Sequence, residues 1–318
     1  MITFSRIDGT VLFVTSNIID GTYSYTKNET STATITLPDC KPEYRLLEKF
    51  STIVNIDDRW AGVLVSLEDT ADSLILNFQD YSFFTKRASL QKRTKSPVDV
   101  SVMIQELFEA TFIDGFIDYD VTPTGMTVDY EYAENFMYVY DKLQDLSDNG
   151  ADWFMVGNTL YVYPTGSVLE EININGFTNP TIFDDGTLVA DRIIAYNDKG
   201  NVFVGEYRDG TEYGVGTILK QPLTRIFYDT NLQTTEALAD FAQGRNMALQ
   251  EVIKVNLNGE IPLYDFTEPI LPSTRVTFDT SGYCLDVSDI AFEVTECTFD
   301  LIQGYPTVTL ESLGDTDG

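Results

Sequence analysis

The stretch Asn135–Pro164, NFMYVYDKLQDLSDNGADWFMVGNTLYVYP, carries the sharpest local signals in the chain. Phe136, Val139, Tyr140, Leu143 and Leu146 recur at the 3.6-residue period of a single helix face. Asn135 is a fair N-terminal cap, and Gly150 stands where a left-handed C-terminal cap is wanted. Two short apolar runs follow, Ala151–Val156 and Thr159–Val162, separated by Gly157-Asn158, the signal of a two-residue hairpin turn. A helix that runs straight into a hairpin buries its stripe on that hairpin. The expectation is one small core shared by the helix face with Trp153, Phe154, Leu160 and Tyr161.

On the N-terminal side, Pro97 opens a second helix, Val98–Ala110, with Val100, Ile104, Leu107 and Phe108 on one face. Residues 112–130, around Pro123-Thr124-Gly125, suit strands or an extended loop. Ahead of the helix lies a basic segment, Lys86, Arg87, Lys92, Arg93 and Lys95, in an otherwise acidic chain. It reads either as a solvated linker between domains or as an arm that docks an acidic neighbour, another copy of the chain included. Further back come short apolar runs at Val11–Thr15, Ile18–Tyr25, Ala33–Leu37, Thr52–Ile56, Trp60–Leu67 and Ser73–Phe78. Asn28-Glu29-Thr30-Ser31, Pro38-Asp39, Asp57-Asp58 and Glu68-Asp69-Thr70 supply the turns. Tyr44–Phe50 suits one or two helical turns, and Tyr81–Phe84 extends the last strand past Asp80. A meander of this kind marks a small sandwich or barrel.

On the C-terminal side, residues 165–185 are rich in turn formers and hold a domain boundary. Strands are expected at Thr187–Tyr196, Asn201–Tyr207, Thr224–Tyr228, Val252–Ile261, Arg275–Phe278, Ile290–Leu301 and Thr307–Leu310. Thr234–Gln250 is expected to be a helix, with Leu238, Phe241, Ala242, Arg245 and Leu249 at helical spacing. Gly210, Gly214 and Gly216 mark a loop that lacks the strand and helix a phosphate cradle needs. Thr52–Phe78 and Thr274–Leu310 share a pattern of strand, acidic turn and longer strand, a weak internal repeat. The fold class expected is mainly β with an α+β insert, two small antiparallel β-barrels flanking the helix–hairpin module. The domains are a first barrel at 1–85, a basic linker at 86–97, the α+β module at 98–165, and a second barrel at 166–318 with a helix at 234–250.

The 318 residues leave room for two or three domains. Fifty acidic against 20 basic residues give a net charge of −30, spread along the chain and not gathered in one tail. Such a surface repels phosphate, which disfavours nucleic-acid binding by backbone neutralisation and docking to anionic membranes. Without histidine, no Ser-His-Asp or Cys-His triad can be built. Cys40, Cys284 and Cys297 have neither the count of a disulfide framework nor CxxC spacing. They read as reduced thiols, with a Cys284–Cys297 bridge left open if the two lie on paired strands. Met1–Asp8 has no apolar run of a leader, and no stretch approaches the ~20 residues of a membrane span. A soluble product assembled in a cytoplasm is expected. Asn197-Asp198-Lys199-Gly200-Asn201 reads as a hairpin turn before a calcium loop, so neither a metal nor a cofactor is expected.

The order of these pieces resembles the tail-hub and baseplate-hub proteins of tailed bacteriophages. The resemblance is carried by Gly21-Thr22-Tyr23-Ser24-Tyr25 with Ala33-Thr34-Ile35-Thr36-Leu37-Pro38, and by Ile53-Val54-Asn55-Ile56 with Trp60-Ala61-Gly62-Val63-Leu64-Val65. It continues through Val100–Phe108, Tyr138–Leu146, Gly150-Ala151-Asp152-Trp153 and Leu160-Tyr161-Val162. Late in the chain, Leu238-Ala239-Asp240-Phe241-Ala242, Val252–Ile261 and Leu271–Phe278 fit the last helix and second barrel. The family often has Pro-Gly-Asp before its late strand; here the residues are Pro272-Ser273-Thr274. The resemblance implies a homotrimer whose two barrels per chain form a ring of six. That ring would adapt a sixfold tail tube above to threefold fibre or tip proteins below. It implies a DNA channel threaded by a tape-measure protein, a virion location at the tail tip, and no enzymatic activity. An acidic wall would let DNA slide without sticking; an ordinary solvated surface accounts for the acids equally well.

Two other classes stay open on the residues alone. Polysaccharide hydrolysis needs two carboxylates about 5–10 Å apart, and the pairs Asp184-Asp185 and Glu170-Glu171 read as loop charge. A receptor- or carbohydrate-binding β-protein would stack sugars on exposed aromatics such as Trp60 and Tyr213, although most aromatics here suit a core or a subunit interface. No catalytic, cofactor-binding or metal residue is assigned.

Overall fold

The computed structural model describes residues 1–38, 41–70, 72–90, 94–122, 127–131, 137–148, 150–174, 181–184, 192–197, 200, 202–206, 224–228, 234–235, 238–239, 255–278 and 291–312. Among these the chain is mainly β. It divides into two compact units. The first comprises Met1–Pro180, Gly259–Phe278 and Glu293–Leu310; the second comprises Thr181–Asn258, Asp279–Phe292 and Glu311–Gly318.

The chain opens with β1 (Ile2–Arg6), β2 (Val11–Thr15), β3 (Asp20–Thr26) and β4 (Thr32–Pro38). A 3₁₀ turn at Pro42–Leu46 leads to β5 (Thr52–Ile56), β6 (Trp60–Asp69), β7 (Ser73–Asp80) and the short helix α1 (Ser82–Thr85). Next come β8 (Ser89–Leu90), β9 (Thr94–Asp99), α2 (Val100–Glu109), β10 (Asp118–Val121), β11 (Thr127–Glu131) and β12 (Met137–Tyr138). α3 (Val139–Asp148) follows, then β13 (Ala151–Val156), β14 (Thr159–Pro164) and β15 (Glu170–Ile174). The remaining strands are β16 (Thr181–Asp184), β17 (Arg192–Tyr196), β18 (Val202–Glu206), β19 (Thr224–Tyr228), β20 (Val255–Pro262), β21 (Thr274–Phe278), β22 (Phe292–Asp300) and β23 (Pro306–Ser312).

In the first unit the strands run β23-β22-β3-β4-β7-β6-β5-β1-β2. The late strand β22 lies antiparallel to the early strand β3, with Cys297 opposite Tyr25 and Phe299 opposite Tyr23. The Tyr23 and Phe299 rings stack with centroids 5.4 Å apart. β15 lies parallel to β21, which also pairs with β22. One core, built on Phe4, Ile35, Val54, Trp60, Leu64, Leu76 and Phe78, fills the side of this sheet to which alternate residues point. The Trp60 ring lies across Gly62, where a Cβ would fall 2.4 Å from the indole and 2.3 Å from the Gln79 carbonyl. β1 was not anticipated, because Met1–Asp8 mixes polar and apolar residues too evenly to stand out. It nevertheless pairs with both β2 and β5 and sends Phe4 into the core.

A second core joins α2, α3 and the β13–β14 hairpin through Val100, Ile104, Leu107, Val139, Leu143, Leu146, Trp153 and Leu160. The hairpin and the Gly150 cap, at φ 89°, form as the sequence foretold. Sharing of the core differs from expectation at two residues. A strand alternates its faces, so Ala151, Trp153 and Met155 meet the helices with Leu160 and Val162. Phe154 and Tyr161 are cross-strand partners on the other face, stacked 5.4 Å apart. Pro97 lies in β9 instead of opening α2, and Asp99 caps the helix by accepting from the Ser101 N–H at 2.8 Å. A proline forces its predecessor towards extended backbone, which suits a strand end. Phe83 and Phe84 form part of the short helix α1 and do not extend β7.

In the second unit β18 and β19 flank β17, antiparallel and parallel to it respectively. Gly200, at φ 78°, turns the chain between β17 and β18 and donates its N–H to the Asn197 carbonyl at 3.3 Å. Thr235, Leu238 and Ala239 are helical, and Leu238 is buried; the rest of the expected helix at 234–250 lies outside the described residues. So do Asn135, Phe136, Pro123-Thr124-Gly125, the three loop glycines at 210, 214 and 216, Lys92 and Arg93.

Candidate functional site

The densest polar constellation is a turn, Lys27–Ser31, between β3 and β4. Asn28 adopts a left-handed backbone, φ 60°, which asparagine tolerates better than most residues. Its N–H donates to the Trp153 carbonyl at 2.7 Å, and its side-chain oxygen accepts from the Trp153 N–H at 2.9 Å. Its Nδ2 donates to Asp152 Oδ1 at 2.7 Å, and its carbonyl accepts from Gln144 of α3 at 2.7 Å. One asparagine thereby ties the early sheet to both the helix and the hairpin.

Lys27 extends the tie to the late strands. Its Nζ lies 2.9 Å from Asp152 Oδ2 and also pairs with Glu293 of β22; both carboxylates are buried and the lysine side chain is only 10% exposed. The Lys27 N–H donates to the Thr295 carbonyl at 2.9 Å. Burial alone would push the ammonium's pKa down; the two carboxylates more than offset it and hold it above the ordinary value. A lysine held charged in this way is a tie and not a base. At the other end of the turn, the Ser31 N–H donates to Asp80 Oδ2 at 2.8 Å, and the Ser82 N–H donates to Asp80 Oδ1 at 2.9 Å. Burial raises the Asp80 carboxyl to about 6, against the pull of those hydrogen bonds.

A second link joins the hairpin to the late strands: Ser273 Oγ donates to the Tyr163 hydroxyl at 2.7 Å. Ser273 is fully buried with φ 61°, a conformation that glycine adopts freely and serine does not. That position is the middle of Pro272-Ser273-Thr274, where the resemblance leads one to expect glycine. The serine hydroxyl supplies a bond that glycine would lack.

The first unit is thus one sheet of early and late strands with a helix–hairpin module tied to it by the Lys27–Ser31 turn, by the Ser273–Tyr163 bond and by a core that also takes in Ile53 and Val63 of the sheet. Over 99% of its length the chain superposes on the prophage tail protein gp18 from Listeria monocytogenes, covering 95% of that protein, with a TM-score of 0.67 and 11% identity. It superposes likewise on the tail protein from Neisseria meningitidis, with a TM-score of 0.65, 13% identity and coverage of 98% and 96%. The fold is that of phage tail proteins. The same tail-protein fold extends to the Escherichia coli c3393 protein, a type VI secretion component described as similar to the phage T4 tail proteins gp27 and gp5. There the TM-score is 0.52 at 11% identity, over 95% of this chain and 74% of that one. No protein-family model and no curated protein matches the sequence.

Within the tail-protein fold, several residues singled out from the sequence fall elsewhere than expected. Trp60 is buried, its Nε1 donating to the Ser24 carbonyl at 3.0 Å, so it offers no ring to a sugar. Glu170 and Glu171 begin β15, paired with Thr274 and Arg275, and are not loop charge. Asp184 ends β16, while Asp185 and Tyr213 lie outside the described residues. Cys297 is a free, buried thiol that accepts from the Ile270 N–H at 3.3 Å, so the bridge to Cys284 is not formed. Burial pushes that thiol up to about 12, too high for a nucleophile near neutral pH. Of the basic segment, Lys86 sits over the Tyr140 ring of α3 at 4.4 Å and Arg87 over the Phe83 ring of α1 at 5.4 Å. Among the described residues no acidic or thiol cluster could hold a metal, and no helix is long and apolar enough to cross a membrane.

Lys27 and Glu293 escaped the sequence reading as site residues, and Asn28 was read there only as part of a turn. A readable signal existed for the acids. Asp152 and Glu293 each interrupt an apolar strand, Ala151-Asp152-Trp153-Phe154 and Phe292-Glu293-Val294, and a charge so placed needs a buried counter-charge.

Proposed function

We propose that this chain is a structural protein of a phage tail tip, a homotrimeric hub that adapts a sixfold tube to threefold tip proteins. The observation that carries the reading is the likeness to tail proteins along essentially the whole length of both partners. The β3–β22 junction supports it, since it sets an early and a late strand group side by side in one sheet. We take these groups as two small barrels per chain, so that three copies imitate six. The partners in this reading are a tube or distal tail protein above, a fibre or tip protein below, and a tape-measure protein in the channel. The acidic surface then serves DNA passage, repelling the polymer from the wall. The polar constellation at Lys27–Ser31 is mechanical in this scheme: it keeps the module fixed on the sheet under load.

Electron microscopy of the purified chain tests the reading. Class averages are expected to show a threefold ring with an axial opening. A compact particle with no opening, alone or bound to tail partners, would overturn it.

A further inference from the structure

We infer that the open face of the β18-β17-β19 sheet is a contact surface for a second copy of this chain. The register sets Ile194, Val204 and Ile226 in one row and Tyr196, Val202 and Tyr228 in the next. Positions two apart on a strand share a face, so all six lie together. Ile226 is 65% exposed, Val202 and Tyr228 54% each, Val204 51% and Tyr196 37%. The Tyr196 and Tyr228 rings lie 5.0 Å apart. The opposite face is the one packed inside the unit, with Ala195 buried and Phe227 half-buried. A contiguous apolar sheet face of this kind is the mark of an interaction surface.

Charge selects the occupant. None of the six residues is charged, and the third row of the same face, Arg192, Glu206 and Thr224, holds one charge of each sign, in a chain that carries −30. A basic partner is attracted to acidic surface anywhere and gains nothing particular from a neutral patch. An equally acidic partner is repelled everywhere except at such a patch, and a second copy is such a partner. The stiff valine and isoleucine side chains and the two-torsion tyrosines lose little conformational freedom when covered. The inference names a face and not a copy number, so it stands apart from the ring geometry proposed above.

The test is sedimentation of the full chain from low to high salt, with two double variants, Val204→Lys/Ile226→Lys and Val204→Thr/Ile226→Thr. The wild type is expected to exceed the single-chain mass of 35.7 kDa and to associate more tightly as salt screens the repulsion. The lysine pair should weaken association about 30-fold or more, as at the centre of an interface, and the threonine pair by less. Both should keep the wild-type circular dichroism. A folded threonine pair that associates like the wild type overturns the inference, and so does a wild type that stays a single chain at high salt. If the lysine pair fails to fold, the threonine pair decides. An oligomer untouched by either variant removes this face and leaves the ring standing. Salt-strengthened association without a threefold ring does the reverse.

Discussion

Around Lys27 in the first unit, three charged side chains stand inside the protein, and each finds its partner there. On the β18-β17-β19 sheet of the second unit, apolar side chains stand outside. Both are departures from the usual inside–outside rule, in opposite directions. Buried charge is tolerable only when it finds a counter-charge, and the first region supplies its own within one chain. Exposed apolar surface lowers its free energy by gaining a cover, and in the proposal above that cover is another copy of the chain. The contrast separates what folds this protein from what assembles it.

The largest expected effect breaks the first half of the contrast. Lys27→Met leaves Asp152 and Glu293 buried without their cation, and urea unfolding should show a loss of about 3–5 kcal/mol. Adding Asp152→Asn and Glu293→Gln should recover part of that loss, because the uncompensated charges are gone. A Lys27→Met protein as stable as wild type would mean that the cluster is far more hydrated than its burial shows.

Asp80 comes next and carries a pH signature. Its carboxyl is raised from 3.8 to about 6 in the folded protein, so the native state binds more protons than the unfolded chain between those values. Stability contributed by this group therefore rises as pH falls from 7 to 4, by about 2 kcal/mol. Asp80→Asn should lack that rise, read as the difference in unfolding free energy between the two pH values.

Gly62→Ala should cost about 1–3 kcal/mol, because the new methyl meets the Trp60 ring and the Gln79 backbone and neither can withdraw freely. A smaller and more informative effect belongs to Ser273. Ser273→Gly relieves a left-handed serine but leaves the buried Tyr163 hydroxyl without its donor, and the two changes oppose each other. A double-mutant cycle with Tyr163→Phe should give a coupling of about 1 kcal/mol, measured by denaturant unfolding. Smallest of all, Ile226→Thr should move the stability of the isolated chain by no more than about 0.5 kcal/mol, since that side chain is exposed. Its consequence is in association, and that asymmetry sharpens the contrast.

The sequence revealed most where local rules act alone. The hairpin at 151–164, the Gly150 cap and strands such as Thr52–Ile56 and Thr224–Tyr228 follow from alternation and turn chemistry, and they stand as expected. The helix stripe at Val139, Leu143 and Leu146 is buried as its period required. Long-range pairing was not legible. Nothing local says that β22 joins β3 or that β1 sits between β2 and β5, because those choices depend on which sheet edges remain free after folding. The pairing of the buried joint was illegible for the same reason: its members are separated by more than a hundred residues, and although Asp152 and Glu293 each interrupt an apolar strand, nothing local names Lys27 as their counter-charge. The open sheet is a different case. Apolar alternation announces a buried face, and only the structure shows these side chains exposed.

The two tryptophans provide the most direct measurement, because Trp60 lies in the core of the sheet and Trp153 in the core of the module. Single-tryptophan chains, made by Trp153→Phe or Trp60→Phe, should report one coincident unfolding transition in the wild-type background and two separated transitions once Lys27→Met is added. Coincident transitions in both backgrounds would show that the module is held to the sheet by something other than the turn at Lys27.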